Sequence, residues 1–199
     1  ARFEYAEFDR DAIFHRAKFG TDFHEGIFAD IIGLNRNNQH SRNKSLNIDF
    51  RYSKFNGLVD FAHSRFYLDT NFYSVWFGKE VTKFQDARFK GSASFKAATF
   101  PRFANFVETW FRGNADFAEA KFTGDSRFDN AHFDKNLILT GTRIDTMALN
   151  NCQFKIKSEI LLKEAIFNRL YIKWDLLKMH LKYQYEDDYD WATYSALVK

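Results

Sequence analysis

Cysteine and proline are almost missing from this chain, with one of each in 199 residues. A single cysteine excludes an intramolecular disulfide framework and suits a reducing compartment, so a cytoplasmic location is expected. No stretch approaches 18 consecutive apolar residues and none looks like the apolar core of a secretion signal, so no membrane span is expected in this chain. Charge of one sign is also lacking: 29 Lys and Arg against 26 Asp and Glu leave a net +3. That is too little to argue for a nucleic-acid partner by itself. There is no glycine-rich phosphate loop and no serine-centred elbow. The histidines at 15, 24, 40, 63, 132 and 180 form no zinc-like pair with Cys152. No catalytic residue, cofactor site or metal site is expected, and an enzyme is not expected.

What the chain has instead is phenylalanine, 25 of them. In "DFAEAKFTGDSRFDNAHF" the rings fall at Phe117, Phe122, Phe128 and Phe133, and a small residue stands two places before each: Ala115, Ala120, Ser126, Ala131. At about 100° per residue, such steps scatter the rings over opposite faces of an α-helix. In a strand, an odd step sends the ring to the other face. The spacing suits a chain that turns a corner every five or six residues and points one ring inward from each side, which is a solenoid.

The register extends in both directions. Forward it runs through Leu139 and Ile144, then with slips through Leu149 and Phe154. Backward it reaches Phe50, and it also occupies the N-terminus at Phe3, Phe8, Phe14 and Phe19. Positions one coil apart should stack in four ladders. The first is Phe50, Phe72, Phe95, Phe117; the second Phe55, Phe77, Phe100, Phe122. The third is Phe61, Phe84, Phe106, Phe128, and the fourth Phe66, Phe89, Phe111, Phe133. Cys152 falls in the small inward slot before Phe154 and reads as a core residue.

The segments "ADFAEAKF", "ARFKGSASFKAATF" and "SRFDNAHF" resemble the pentapeptide-repeat proteins, in a Phe-rich variant with alternating five- and six-residue steps. The resemblance covers roughly residues 1–30 and 48–172. It implies an all-β solenoid, a right-handed quadrilateral β-helix. With two lengthened steps in four, about 22 residues per coil and bulged corners are expected. The expected organisation is a β-helix over 1–172 and a C-terminal helical segment over 173–199.

Two regions leave the pattern. Residues 33–49, "GLNRNNQHSRNKSLNID", lack an inward ring and read as an inserted polar loop. Its basic residues Arg36, His40, Arg42 and Lys44 are the candidate interaction loop, for an acidic protein, phosphate or lipid head groups. Near the end, Leu170, Trp174, Leu177 and Leu181 have helical spacing, and a second short helix is expected over 191–198 after an N-cap at Asp188 or Asp190. This helical pair reads either as a cap over the last coil or as a dimerisation or tethering element, the latter giving a homodimer. The chain opens already in register and its last helix lacks a stop signal, so a longer parent protein is expected.

Since the repeat spends its Phe and small residues on the core, only outward residues can meet a partner. Three function classes stay open. One is a non-enzymatic scaffold that binds an unidentified protein through its outward faces. The second, implied by the resemblance, is a DNA mimic that binds a type II topoisomerase such as gyrase. The third is the soluble domain of a membrane channel or transporter, tethered by segments outside this chain. Mimicry needs a continuous negative surface, and Lys90, Lys96, Arg102, Arg112 and Lys135 in the middle coils argue against it. Direct nucleic-acid binding is not expected either. Its stacking platforms need exposed rings, and only Tyr67, Tyr73, Trp76 and Trp110 are candidates.

Overall fold

Each inward ring closes a strand only a few residues long, such as Thr99–Phe100 or Trp110–Phe111. The computed structural model describes residues 1–19 and 47–181. In it, these strands pair in parallel with the strands one coil before and after. Phe100 lies opposite Phe122, and Phe111 lies between Phe89 and Phe133. The result is a β-solenoid of about six coils, each of about 22 residues, followed by a short helix, α1, at Trp174–His180. The first and fourth sides are six-stranded sheets, and an 11-stranded sheet wraps the second and third.

Two kinds of corner alternate. After the first and third sides the step is five residues and the turn is tight. The Ala98 N–H donates to the Phe95 carbonyl at 3.0 Å, and Ala97 sits at φ 57°. That is the left-handed position a type II turn requires. The same conformation recurs at Glu108, Glu119 and Asn130. After the second and fourth sides the step is longer and the corner wider. The strand Lys121–Arg127 runs straight through one such corner, with a register shift between Phe122 and Asp125. At the other wide corner the coils approach so closely that a Cβ on Gly113 would lie 2.4 Å from the Ser92 nitrogen.

Inside, the four ladders stack ring on ring. Phe3, Phe50, Phe72, Phe95 and Phe117 follow one another at 4.7–4.9 Å and within 12° of parallel. Phe8, Phe55, Phe77, Phe100 and Phe122 form the second ladder, and Phe14, Phe61, Phe84, Phe106 and Phe128 the third. The fourth is Phe19, Phe66, Phe89, Phe111, Phe133 and Phe154. Across the lumen, rings of the first and third ladders meet edge to face, as Phe106 and Phe117 do at 5.4 Å and 86°. Parallel neighbours along the axis and perpendicular ones across it both suit the aromatic quadrupole, at about 0.5–1.5 kcal/mol per pair beyond simple burial.

The slots two residues before each ring are buried too. Ala93, Ala104, Ala115 and Ala120 are fully covered. Where a slot of the second or fourth side holds a hydroxyl, it donates to the carbonyl of a ring residue one coil earlier. Ser64 bonds Phe14, Thr109 bonds Phe84, and Thr142 bonds Phe117, at 2.6, 2.8 and 2.9 Å; Ser53 bonds the Phe3 carbonyl in the same way. No buried side-chain polar atom among the described residues lacks a partner.

At two places the structure departs from the sequence reading. The segment 33–49 reads as a polar loop, but its last residues, Ile48–Asp49, are a strand paired with Thr70–Asn71. Pairing prevails there because Ile48 buries its side chain completely. Leu170, counted with the helical spacing, instead belongs to the strand Ile166–Tyr171 and lies opposite Met147. The helix starts only at Trp174. Arg36, His40, Arg42, Lys44 and residues 191–198 lie outside the described residues.

Candidate interaction surface

With the rings inward, each coil offers outward the residues that flank each ring. On the first and third sides the residue before the ring is often Asp or Asn, and its role is local. The Asp116 carboxylate accepts the Ala118 N–H, Asp60 that of Ala62, and Asp49 that of Arg51. Asn71 and Asn105 do the same for Tyr73 and Val107. These side chains brace the backbone ahead of the tight corner. The sequence signal for their role is that they recur immediately before the ring on these two sides.

Other carboxylates are paired with cations. Lys54 and Glu7 meet at 2.6 Å, Lys96 and Glu119 at 3.1 Å, and Arg127 and Asp129 at 2.6 Å. Glu119 beside Lys96 holds that ammonium above the usual lysine range. Asp49 holds the Arg51 side chain through three hydrogen bonds, at 2.9, 3.1 and 2.8 Å. Burial pushes the Asp49 carboxyl up, but the hydrogen bonds and charge of Arg51, helped by Arg2, outweigh it and hold the group below the usual carboxylate range.

The fourth side differs. The residues before its rings are Lys18, Arg65 and Arg88 in direct cross-strand register, then Trp110 and His132. Those after the rings are Tyr67, Lys90, Arg112 and Asp134. Arg65, Arg88, Lys90 and Arg112 surround a shallow hollow of about 180 Å³, with Tyr67 and Trp110 in its wall. Lys90 Nζ lies 4.3 Å over the Tyr67 ring, and the Arg112 guanidinium 4.8 Å over Trp110. The Trp110 Nε1–H donates to Asp134 at 3.2 Å, and Lys155 pairs with the other oxygen of that carboxylate at 2.8 Å.

The remaining reactive residues have structural positions. Cys152 is buried, its Sγ 3.0 Å from the Phe128 carbonyl, and burial pushes its thiol up to about 12. It is therefore protonated and unreactive at neutral pH. His15 and His63 lie outside, beside Asp60 at 3.5 Å and Asp86 at 3.0 Å. His180, unremarked in the spacing, is buried: its ring stacks on Phe154 at 5.1 Å and its Nδ1 lies 2.9 Å from the Ser158 carbonyl. It roofs the end of the fourth ladder. Among the described residues no group of His, Cys, Asp and Glu is placed to hold a metal ion, and no helix is long and apolar enough to cross a membrane.

Residues 106–153 match the family model of pentapeptide repeats, described there as nine copies. The repeats over this stretch are pentapeptide repeats. The matched stretch begins in the last wholly Phe-centred coils and runs into those where aliphatic residues replace the rings. A search of curated proteins finds no match to the chain. In pentapeptide-repeat terms the central residue is the ladder ring and the small residue is the slot two places earlier, so the matched motif lies entirely in the core.

Proposed function

We propose that this protein is a non-enzymatic scaffold that binds a protein partner through one of its outward sides. The observation that supports this best is the division of residues. The conserved-geometry positions of each coil are inward and satisfied, which leaves a rigid outer lattice with a rise of about 4.8 Å per coil and side-specific chemistry. The DNA-mimic reading draws less support. Asp49, Asp60 and Asp116 are turned to backbone N–H groups, and Glu7, Glu119 and Asp129 face cations, so these described carboxylates do not form a continuous row of free negative charge.

The test places a photo-crosslinking benzoylphenylalanine in turn at Lys96, Lys121, Arg127 and Arg65, one on each side, in the cells that make the protein. A discrete adduct with the same partner from one side, and not from the side opposite, is expected. Adducts from no side, or indiscriminately from all four, would overturn the scaffold reading.

A further inference from the structure

The fourth side carries an arrangement that lowers the stability of the sheet it sits on. Lys18, Arg65 and Arg88 are direct neighbours across successive parallel strands. Like charges so placed repel and destabilise the pairing. On the second side opposite charges also meet across coils, as with Lys54 and Glu7. On the fourth side two nearby carboxylates have other partners and a third is shared. Asp69 accepts the Ser92 N–H at 2.7 Å, and Asp134 takes Trp110 and Lys155. Asp86 lies 3.5 Å from Arg88, but also 3.0 Å from His63. All of Lys18, Arg65, Arg88, Lys90 and Arg112 are exposed.

The two aromatic rings of the hollow hold the cations in place. Lys90 over Tyr67 and Arg112 over Trp110 are each held by a cation–π attraction. That reduces the freedom these long side chains would lose on meeting an anion. It also decides between ligands. A base that stacks needs a bare ring face, and Trp110 is covered by Arg112 with His132 beside it at 5.4 Å. Carboxylates need only the guanidinium groups of the exposed Arg65, Arg88 and Arg112.

The length of the row sets the form of the ligand. From Lys18 through Arg65 and Arg88 to Arg112 it crosses four coils, about 14 Å at about 4.8 Å per coil. An extended peptide repeats its side chains on one face every 6.6–6.8 Å or so, so acidic residues at i, i+2 and i+4 cover about 13 Å. We infer that the fourth side is a docking surface for an acidic, extended segment of a protein partner, whose alternate carboxylates lie along the cation row with one seated in the hollow between Arg65, Arg88 and Arg112. This rests on the scaffold reading and names the side and the chemistry of the partner.

The test uses the full chain and a fluorescein-labelled peptide of alternating Glu and Thr, followed by anisotropy at low and moderate salt. Saturable binding that weakens steeply with salt is expected. In the Arg65→Ser/Arg88→Ser variant, affinity should fall by about tenfold or more, while the melting temperature holds or rises, because two repelling charges have gone. A purely structural role for these arginines would move the melting temperature down instead. Lys121→Ser/Arg143→Ser, a like-charged pair on the second side, should leave affinity within about twofold, since it lies off the row.

No saturable binding below about 1 mM peptide, equal losses in both double variants, or tighter binding of a single-stranded oligothymidine with quenching of tryptophan fluorescence would each overturn the proposal. A photo-crosslinked adduct from another side, with no peptide binding here, would overturn it and leave the scaffold standing.

Discussion

The middle coils and the last coils fill the same lumen in opposite ways. In the middle, each side sends in a large ring and a small slot residue: Phe95 with Ala93, Phe117 with Ala115, Phe106 with Ala104. Toward the C-terminus the rings give way to Leu139, Ile144 and Leu149, and the slots enlarge to Leu137 and Met147, all buried. The strands stay paired in parallel across this boundary, and the register shifts by one residue only between Phe122 and Asp125. Ala115 pairs with Leu137, and Phe122 with Ile144. The cross-section is thus set by strand pairing, and the two inward positions divide a roughly constant volume. Packing density in protein interiors leaves little slack for either to change alone.

The largest expected effect comes from emptying the lumen where rings dominate. Phe106→Ala removes a ring stacked on Phe84 and Phe128 and edge-on to Phe95 and Phe117. It should cost about 3–5 kcal/mol in urea unfolding. A smaller loss would mean that the coils collapse around the gap, and the lumen would not be fixed. In the aliphatic coils Leu137→Ala should cost about 2–5 kcal/mol, whereas an alanine in that slot is native one coil earlier. Equal tolerance at both coils would remove the comparison.

A hydroxyl comes next. Thr142→Val removes the bond from Thr142 to the Phe117 carbonyl at nearly constant shape. That carbonyl keeps the Ala120 N–H, so a loss of about 1 kcal/mol is expected. A loss near that of a cavity would show that the slot hydroxyls hold the coils together more than the rings do.

The smallest effect is on acid stability. The Asp49 carboxyl is held below its ordinary value in the fold, so its contribution is present above the unfolded value, about 3.9, and is lost as pH falls through the lower folded value. Asp49→Asn should therefore flatten the acid limb of the unfolding profile below about pH 4. An unchanged acid limb would show that Arg51 does not stabilise the charged form.

Much of the solenoid was readable because its rule is strict: a ring inward every five or six residues, with a small residue two before. Neither a helix nor a single strand satisfies that spacing. The jobs of Asp116 and Asp60 were harder to read. A carboxylate that braces a backbone N–H looks the same in sequence as one left in water. The basic fourth side was hidden for a different reason. Arg65 and Arg88 lie a full coil apart in sequence and meet only when the strands pair, so a linear scan for charge runs passes over them. It emerges when the chain is written one coil to a row and the column before the fourth ring is read downward. His180 had no such column, because its place over Phe154 depends on where the last strand stops and α1 begins.

The trade of volume between ring and slot can be measured directly with a double-mutant cycle at Ala115 and Phe117. Ala115→Leu alone should overpack and cost about 1–3 kcal/mol. Phe117→Leu alone should leave a void that also destabilises. The double variant reproduces the arrangement native to Leu137 and Leu139, and should recover stability relative to the sum by about 1 kcal/mol or more. Simple additivity within about 0.5 kcal/mol would contradict the account, because each position would then be packed independently of the other.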